Sequence, residues 1–196
     1  MLINQAIVYF KNEEGRYKEA GNIKNAVPFL HQDPDSDEIL GQCEESGRDQ
    51  GHATLCVSLM GAFCQMAYSI GEDLFAFDNY RAVAMAEYVG KYNLIKDEAF
   101  NKGTLVGDDF VYDSNSFPYT SYSNPSYTNT TISTDQRGTK RPAWELFYGY
   151  CKAKGISSIY SGKWAEQMRP DGGGGNYGPN SGGFDQLGFG TLMYYR

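Results

Sequence analysis

The chain has 196 residues, of which 41% are hydrophobic and 21% are charged, a balance typical of folded globular proteins and not of disordered ones. Its net charge of −7 argues against binding to duplex nucleic acid or to an anionic membrane surface, because both need a basic footprint. The sequence contains no uncharged apolar run long enough to cross a bilayer, and residues 1–10 lack the basic start and small-residue cleavage site of a signal peptide.

Helical periodicity dominates the first half of the chain. Apolar residues at helical spacing predict a first helix that begins at the N-terminus and ends near Gly15, before a polar, turn-rich stretch. Ser46 and Asp49 have the spacing of a capping box, which would place the side chain of Ser46 at the cap of the next helix. That helix, of about 20 residues and ending before Gly71, carries an apolar stripe formed by Leu55, Leu59, Phe63, Met66 and Ile70.

Further helices and two long loops are predicted in the rest of the chain. One helix covers residues 77–92, another ends at Gly155, and a shorter one carries Trp164. Residues 101–138 indicate a long surface loop or short strands, and residues 171–183 indicate a flexible Gly-rich loop. The predicted fold class is mainly α with long irregular loops, because neither a βαβ rhythm nor the alternation of a β-sandwich appears.

The densest polar cluster is residues 45–52, Glu-Ser-Gly-Arg-Asp-Gln-Gly-His, at the start of the long helix. Arg48 suits binding of a carboxylate, and the imidazole of His52 can accept a proton. With Gln50, these residues suit abstraction of a proton next to a carboxylate: the arginine or the amide stabilises the enolate-like charge, and the histidine acts as base. The alternative is structural, with Arg48 in an ion pair and His52 hydrogen-bonded in the core.

Elimination also needs an acid that protonates the leaving oxygen, and a tyrosine can supply that proton. The candidates are Tyr88, Tyr92, Tyr148 and Tyr177, although packing or stacking on a sugar is the favoured role for each of them taken singly. Arg141, Trp144 and Glu145 start the helix that follows Thr139 and ends at Gly155, where Arg141 suits binding of a second anion; the alternative is a solvated charge.

Metal-binding and cysteine patterns are weak. Asp33 to Glu44 partly match a calcium loop, but Glu38 stands where the loop requires Gly, and no metal site is predicted. The four cysteines include no Cys-x-x-Cys pair, which excludes zinc-ribbon and thioredoxin-like sites. Cys56 and Cys64 fall in one predicted helix and are expected to pack as small apolar groups.

Four segments resemble the C-terminal half of alginate-lyase-like proteins. They are residues 45–52, residues 71–75 with 87–93, Arg141-Pro-Ala-Trp-Glu145, and the Gly-rich run of residues 172–190. The resemblance implies a partial α/α toroid, which is an incomplete ring of helical hairpins around a cleft. It also implies a polysaccharide lyase that cleaves uronate-containing chains by β-elimination without a cofactor, and that is periplasmic or extracellular in its full-length form.

The resemblance also implies which residues form the site. Arg48, Gln50 and His52 match the family's polar helix start and would be catalytic, with Tyr88 and Tyr148 as candidate acids. The residues expected to bind the acidic polysaccharide are Arg141, Trp144, Glu145, Tyr177 and Asn180.

Other functions and the completeness of the chain stay open at the sequence level. One alternative is a glycan-binding or degenerate toroid without catalysis. Another is an inverting glycoside hydrolase that pairs Glu45 or Asp49 with Glu145. That mechanism requires two carboxyl groups about 6.5–9.5 Å apart across the cleft. A complete toroid needs roughly twice this number of residues. We therefore expect the chain to be part of a longer protein and to be inactive, or nearly so, alone.

Overall fold

The computed structural model describes residues 2–12, 22–123 and 128–168. Within these ranges the chain is mainly helical, which confirms the predicted class. The helices are α1 (Leu2–Lys11), α2 (Ile23–Ala26), α3 (Gln50–Tyr68), α4 (Phe77–Asn93), α5 (Trp144–Lys154) and α6 (Ile159–Met168). Two antiparallel hairpins accompany them: β1 (Phe29–Gln32) pairs with β2 (Ile39–Gln42), and β3 (Tyr122–Ser123) pairs with β4 (Thr128–Asn129).

The cap of α3 is Asp49 and not Ser46 as the capping-box pattern predicts. Residues Glu44–Gly47 form a 3-10 turn that ends just before the helix, and Ser46 is buried inside this turn. Asp49 is the residue in extended conformation at the helix start, and its side chain accepts a hydrogen bond from the His52 backbone N–H. A carboxylate is favoured at this position because it satisfies one of the unpaired N–H groups of the first turn.

The apolar stripe of α3 lies largely in solvent. Leu59 is 57% exposed, and Met66 and Ile70 are each 53% exposed. The buried face of α3 instead carries small side chains, namely Ala53, Thr54, Val57, Ser58, Gly61, Cys64 and Ala67. These small residues let α3 approach α5 closely, since a Cβ atom on Gly61 would lie only 2.8 Å from the Phe147 ring.

Helix α4 crosses the core and confirms the helix predicted over residues 77–92. Its first residues, Asp78 to Tyr80, have positive φ angles of 51°, 57° and 61°, so the helix opens with a left-handed turn. Arg81 stabilises this turn: its Nε donates to Asp78 Oδ2, and its Nη1 donates to the Val27 carbonyl at 2.7 Å. β2 packs against the small centre of α4, where a Cβ atom on Gly41 would lie 2.9 Å from the Met85 nitrogen.

Buried charges on α4 connect it to the first hairpin. Lys91 is 1% exposed, and its ammonium group pairs with Asp33 and Asp35 in the turn between β1 and β2. Burial acts to raise the pKa of Asp33, but hydrogen bonds from Lys91 and Tyr160 outweigh it and lower the pKa to about 2. The segment that partly matches a calcium loop therefore consists of the turn between β1 and β2, whose Asp33 and Asp35 pair with Lys91, and of β2 itself, and helices do not flank it as they flank a calcium loop.

Residues 101–138 are only partly regular. They contain a 3-10 turn at Gly107–Asp109 and the short β3–β4 hairpin. Arg137 fastens the end of this segment to α4, because its guanidinium lies 4.0 Å from the Tyr92 ring centre and 4.2 Å from that of Phe110. Within the described ranges, no helix combines the length and the apolar character that crossing a membrane would require.

Candidate functional site

The candidate site is built on the first turn of α3. Asp49 Oδ1 accepts the His52 backbone N–H at 2.7 Å, and Asp49 Oδ2 lies 2.6 Å from His52 Nδ1. The side chain of Asp49 is 8% exposed and that of His52 is 40% exposed. A mostly buried carboxylate thus holds an imidazole that solvent reaches. Because a carboxylate at Nδ1 favours the tautomer with its proton there, Nε2 of His52 is left as the proton acceptor.

Arg48 lies directly beside this pair. Its Nη1 is 3.3 Å from Glu45 Oε2, and its Nε is 3.7 Å from Asp49 Oδ2. The side chain of Arg48 is 47% exposed and that of Glu45 is 17% exposed. The guanidinium is therefore accessible to the carboxylate of a ligand while it is held by Glu45 and Asp49.

Arg141 reaches the same helix start from the segment that precedes α5. Its Nε donates to Thr54 Oγ1 at 3.3 Å, and its Nη2 donates to the Gly51 carbonyl at 3.5 Å. Gly51 directly precedes His52 and Thr54 follows it by two residues, so the structure brings a second guanidinium to the turn that carries the candidate base. This position next to α3 is compatible with the predicted role of Arg141 in binding the substrate.

Gln50 lies in the interior of the protein. Its Nε2 donates to the carbonyls of Ser46 and Ser133, both at 2.9 Å, and its Oε1 accepts from Asn93 Nδ2 at 2.9 Å. The side chain is buried and its amide is fully engaged. The predicted catalytic role of Gln50 is therefore corrected to a structural one, in which it joins the 3-10 turn, α4 and the segment after β4.

The tyrosines proposed as acids occupy different environments. Tyr88 is fully buried and donates its hydroxyl hydrogen to the Pro118 carbonyl at 2.8 Å, so it is withdrawn from the site. Tyr92 is also buried and packs on Phe117. Tyr148 is half-buried on α5, on the side that faces α6, where a Cβ atom on Gly162 would lie 3.1 Å from its ring. None of these contacts joins a tyrosine to His52.

Trp144 and Glu145 begin α5 in the core. Trp144 is buried and stacks on Trp164, with ring centres 5.2 Å apart and planes 16° from parallel. Glu145 is also buried. The predicted role of Trp144 in binding the polysaccharide is corrected by this geometry, because the side chain is buried in the protein core. Tyr177 and Asn180 lie outside the described residues, as does the whole Gly-rich loop of residues 171–183.

The structure places one further tyrosine, Tyr119, next to the candidate site, although Tyr119 is not among the tyrosines predicted from the sequence. A Cβ atom on Gly47 would lie 2.2 Å from the Tyr119 hydroxyl oxygen, so this hydroxyl sits against the turn that precedes Arg48. Burial raises the pKa of Tyr119, which keeps the hydroxyl protonated at neutral pH. Nothing local in the sequence marks Tyr119, because several tyrosines share its loop and the contact joins residues far apart in the chain.

A cavity of about 590 Å³ lies away from this cluster. It is lined by the residues that follow α4, among them Lys96 and Asp97, and by Lys163 and Glu166 on α6. None of the residues that line it belongs to the group Arg48, Asp49, His52 and Arg141. The candidate catalytic residues and this cavity thus lie at separate places on the protein.

Comparison with known proteins gives no relative for this chain: no family model matches it, and no curated protein or solved structure is significantly similar to it.

Proposed function

We propose that this chain forms part of a polysaccharide lyase that cleaves a uronate-containing, alginate-like polysaccharide by β-elimination. The observation that carries the proposal is the contact of 2.6 Å between Asp49 Oδ2 and His52 Nδ1, next to the exposed guanidinium of Arg48. The packed helices α3 to α6 would form one part of an α/α toroid. A periplasmic or extracellular location belongs to the same proposal.

His52 is the base in this mechanism. Asp49 fixes the proton on Nδ1 and stabilises the imidazolium that forms, so Nε2 removes the proton from C5 of the uronate. A C–H group next to a carboxylate is a weak acid. The reaction therefore requires a positive group that stabilises the negative charge developing on the carboxylate.

Arg48 is the residue that stabilises this charge. Its guanidinium pairs with the uronate carboxylate and stabilises the enolate-like charge as it develops. Arg141 provides a second positive group near the same turn and suits the carboxylate of a neighbouring sugar. An acidic polymer suits a site with two arginines even though the net charge of the chain is −7, because the local charges decide binding.

Tyr119 is a candidate acid, because its hydroxyl lies against Gly47 in the turn that precedes Arg48. The hydroxyl also donates a long hydrogen bond of 3.5 Å to the Asn129 carbonyl, which it would give up to protonate the leaving O4. As the C4–O4 bond breaks, the electron pair from the C5–H bond forms the C4–C5 double bond. The inverting hydrolase is less favoured, because Asp49 is bound to His52 and Glu145 is buried.

The test uses the purified chain with oligomers of mannuronate and of guluronate. Absorbance of the unsaturated uronate product reports elimination, reducing-end analysis reports hydrolysis, and calorimetry reports binding. We expect binding, and any turnover should yield unsaturated ends that His52→Ala abolishes. Reducing ends without unsaturation would instead identify a hydrolase, and binding without turnover in any longer form of the protein would identify a glycan-binding module.

The matched control is His31→Ala. His31, the other histidine of the chain, bonds to Gln42 Oε1 at 3.0 Å and stacks on Tyr88, away from Arg48 and Asp49. This variant should bind and turn over the oligomers as the unmodified chain does. A chain that neither binds the oligomers nor produces unsaturated ends would contradict the proposal.

A further inference from the structure

The face of α3 that points away from the core is largely apolar and carries no charge. Leu59 is 57% exposed and Met66 is 53% exposed, Ala62 is also exposed, and Leu55 lies partly buried in line with them. None of the 19 residues of α3 is Asp, Glu, Lys or Arg. A surface helix normally carries charged residues on its solvent face, so this face has the composition of one that packs against another protein surface.

The residues Leu55, Leu59, Ala62 and Met66 form a seam along α3, with steps of four, three and four residues. This is the spacing of the apolar positions in a coiled coil. The seam is also symmetric about its midpoint. If a second copy of α3 runs antiparallel, Leu55 lies opposite Met66 of the second copy and Leu59 lies opposite its Ala62, so a large side chain meets a small one at the centre.

Charges at the two ends of α3 complement each other in the same arrangement. Arg48 precedes the helix and Glu72 follows it, and the side chain of each is 47% exposed. An antiparallel copy brings Arg48 of one chain towards Glu72 of the other. Each keeps its partner within the chain, Glu45 and Lys11 respectively, so the contact completes a row of alternating charges. The positive N-terminal end of one helix dipole also meets the negative C-terminal end of the other.

We propose that α3 is a docking surface for a second copy of this chain, which binds as an antiparallel two-fold dimer along the seam. A two-fold interface uses the same patch on both chains, and the seam and the end charges both have the required self-complementarity. The proposal needs only the exposed face and its charges, and it does not rest on the lyase activity. In this arrangement Ile70 of the second copy lies at the first turn of α3, so the dimer restricts access to His52.

The size of the seam indicates a reversible dimer. A helix of 19 residues is about 28 Å long and about 10 Å wide, which gives a footprint of roughly 300 Å². A stable interface buries about 800 Å² on each partner. We therefore expect a monomer at low micromolar concentration, and a dimer that forms as the concentration rises.

Sedimentation velocity of the purified chain over about a hundred-fold range of concentration tests the proposal. We expect the average mass to rise from 21.9 kDa towards twice this value. Leu59→Glu places a charge at the centre of the seam and should keep the chain monomeric throughout. Because Leu59 is exposed, the midpoint of thermal unfolding at low concentration should change little in this variant.

The matched control is Leu30→Glu. Leu30 is 44% exposed and lies on β1, outside α3, so the same substitution there should leave dimerisation unchanged. The proposal is overturned if the mass of the unmodified chain stays constant at all concentrations, if Leu59→Glu still dimerises, or if Leu30→Glu prevents dimerisation as Leu59→Glu does.

Photo-cross-linking tests the partner and its direction. Chains in which the photoreactive residue benzoylphenylalanine replaces Met66 are mixed with ¹⁵N-labelled unmodified chains, illuminated, digested and analysed by mass spectrometry. We expect position 66 to join the segment around Leu55 of the labelled chain. Cross-links only within one chain would mean that another part of the same chain covers the seam, and cross-links to Met66 of the labelled chain would mean parallel pairing; either result overturns the proposal.

Discussion

At the residue scale, Asp49 uses its two carboxylate oxygens for different tasks. Oδ1 caps α3 through the His52 backbone N–H, and Oδ2 bonds to the ring of the same residue. The sequence pattern placed Asp49 at the start of the helix but did not show that its side chain reaches the His52 imidazole. Asp49 therefore both caps the helix and orients the candidate base. A useful substitution at Asp49 must keep the cap, and with it the stability of the helix, while it removes the contact with the imidazole.

Asp49→Asn makes this separation. Asn caps helices about as well as Asp, so the midpoint of thermal unfolding should change little. The amide no longer offers a carboxylate to Nδ1, and we expect any elimination activity to fall by about 10²–10⁴-fold. Ring ¹⁵N chemical shifts should show His52 moving from the Nδ1–H tautomer to a mixture. If the His52 tautomer and the turnover both stay unchanged in this variant, then Asp49 only caps α3 and has no part in the chemistry.

At the element scale, α3 shows that an apolar stripe does not by itself identify the buried face of a helix. Small residues form the buried face of α3, where Gly61 contacts α5, whereas the larger Leu59 and Met66, and Ile70 just after the helix, face solvent. Small residues are required on the buried face because α3 and α5 lie close together. The Gly61 backbone lies against the Phe147 ring, and no large side chain of α3 fits between the two helices.

Two identical substitutions test this orientation. Leu40, fully buried in β2, and Leu59, 57% exposed on α3, each change to Ala. We expect Leu40→Ala to lower the free energy of unfolding by about 2–5 kcal/mol, because it leaves a cavity. Leu59→Ala should change it by less than about 0.5 kcal/mol. Urea unfolding of the isolated chain measures both, and a large loss for Leu59→Ala would mean that α3 is oriented differently.

The contact of β2 with α4 has a similar test. A Cβ atom on Gly41 would lie 2.9 Å from the Met85 nitrogen and 3.0 Å from the Ala84 carbonyl carbon, and these backbone atoms cannot move aside alone. Gly41→Ala should therefore destabilise the chain by about 1–3 kcal/mol. Gly103→Ala is the control, since no atom lies within 4 Å of the added Cβ. Equal unfolding midpoints for the two variants would show that β2 does not pack this closely.

At the scale of the whole molecule, buried polar groups on α4 connect elements that are distant in the sequence. Lys91 binds the first hairpin, and the Glu87 carboxylate accepts the backbone N–H groups of Tyr160 at 2.8 Å and Ser161 at 2.9 Å in the first turn of α6. Burial raises the pKa of Glu87 to about 7, against the opposing effect of the hydrogen bonds from Ser161 and Tyr160. We therefore expect the attachment of α6 to the core to depend on pH.

Glu87→Gln measures this dependence. Folded Glu87 binds a proton with a pKa of about 7, above the ordinary 4.5, so its contribution to stability is complete below pH 4.5 and is lost as the pH rises through 7. That displacement corresponds to roughly 3 kcal/mol at most. The Gln variant does not titrate and should lack this part of the decline in urea unfolding between pH 4.5 and 8.

The control for Glu87→Gln is Glu98→Gln, a change on the surface of the turn after α4. It should retain the decline seen in the unmodified chain. If the stability of the Glu87→Gln variant falls with pH as steeply as that of the unmodified chain, then Glu87 is not the group that titrates.

The sequence by itself determined the features that depend on near neighbours. The mainly α class, the helix predicted over residues 77–92 and the end of α5 at Gly155, where φ is +67°, follow from periodicity and from residues that stop helices. The grouping of Arg48, Asp49 and His52 also follows from sequence, because a single turn of helix holds them together.

Only the tertiary structure decided which polar and aromatic residues are available for chemistry. Gln50, Tyr88 and Trp144 stand at positions that suggest a site, yet each is enclosed by elements far away in the chain. Tyr119 and Arg141 reach the start of α3 from other segments for the same reason. Burial and long-range proximity depend on how whole elements pack, and a pattern of neighbouring residues does not contain that information.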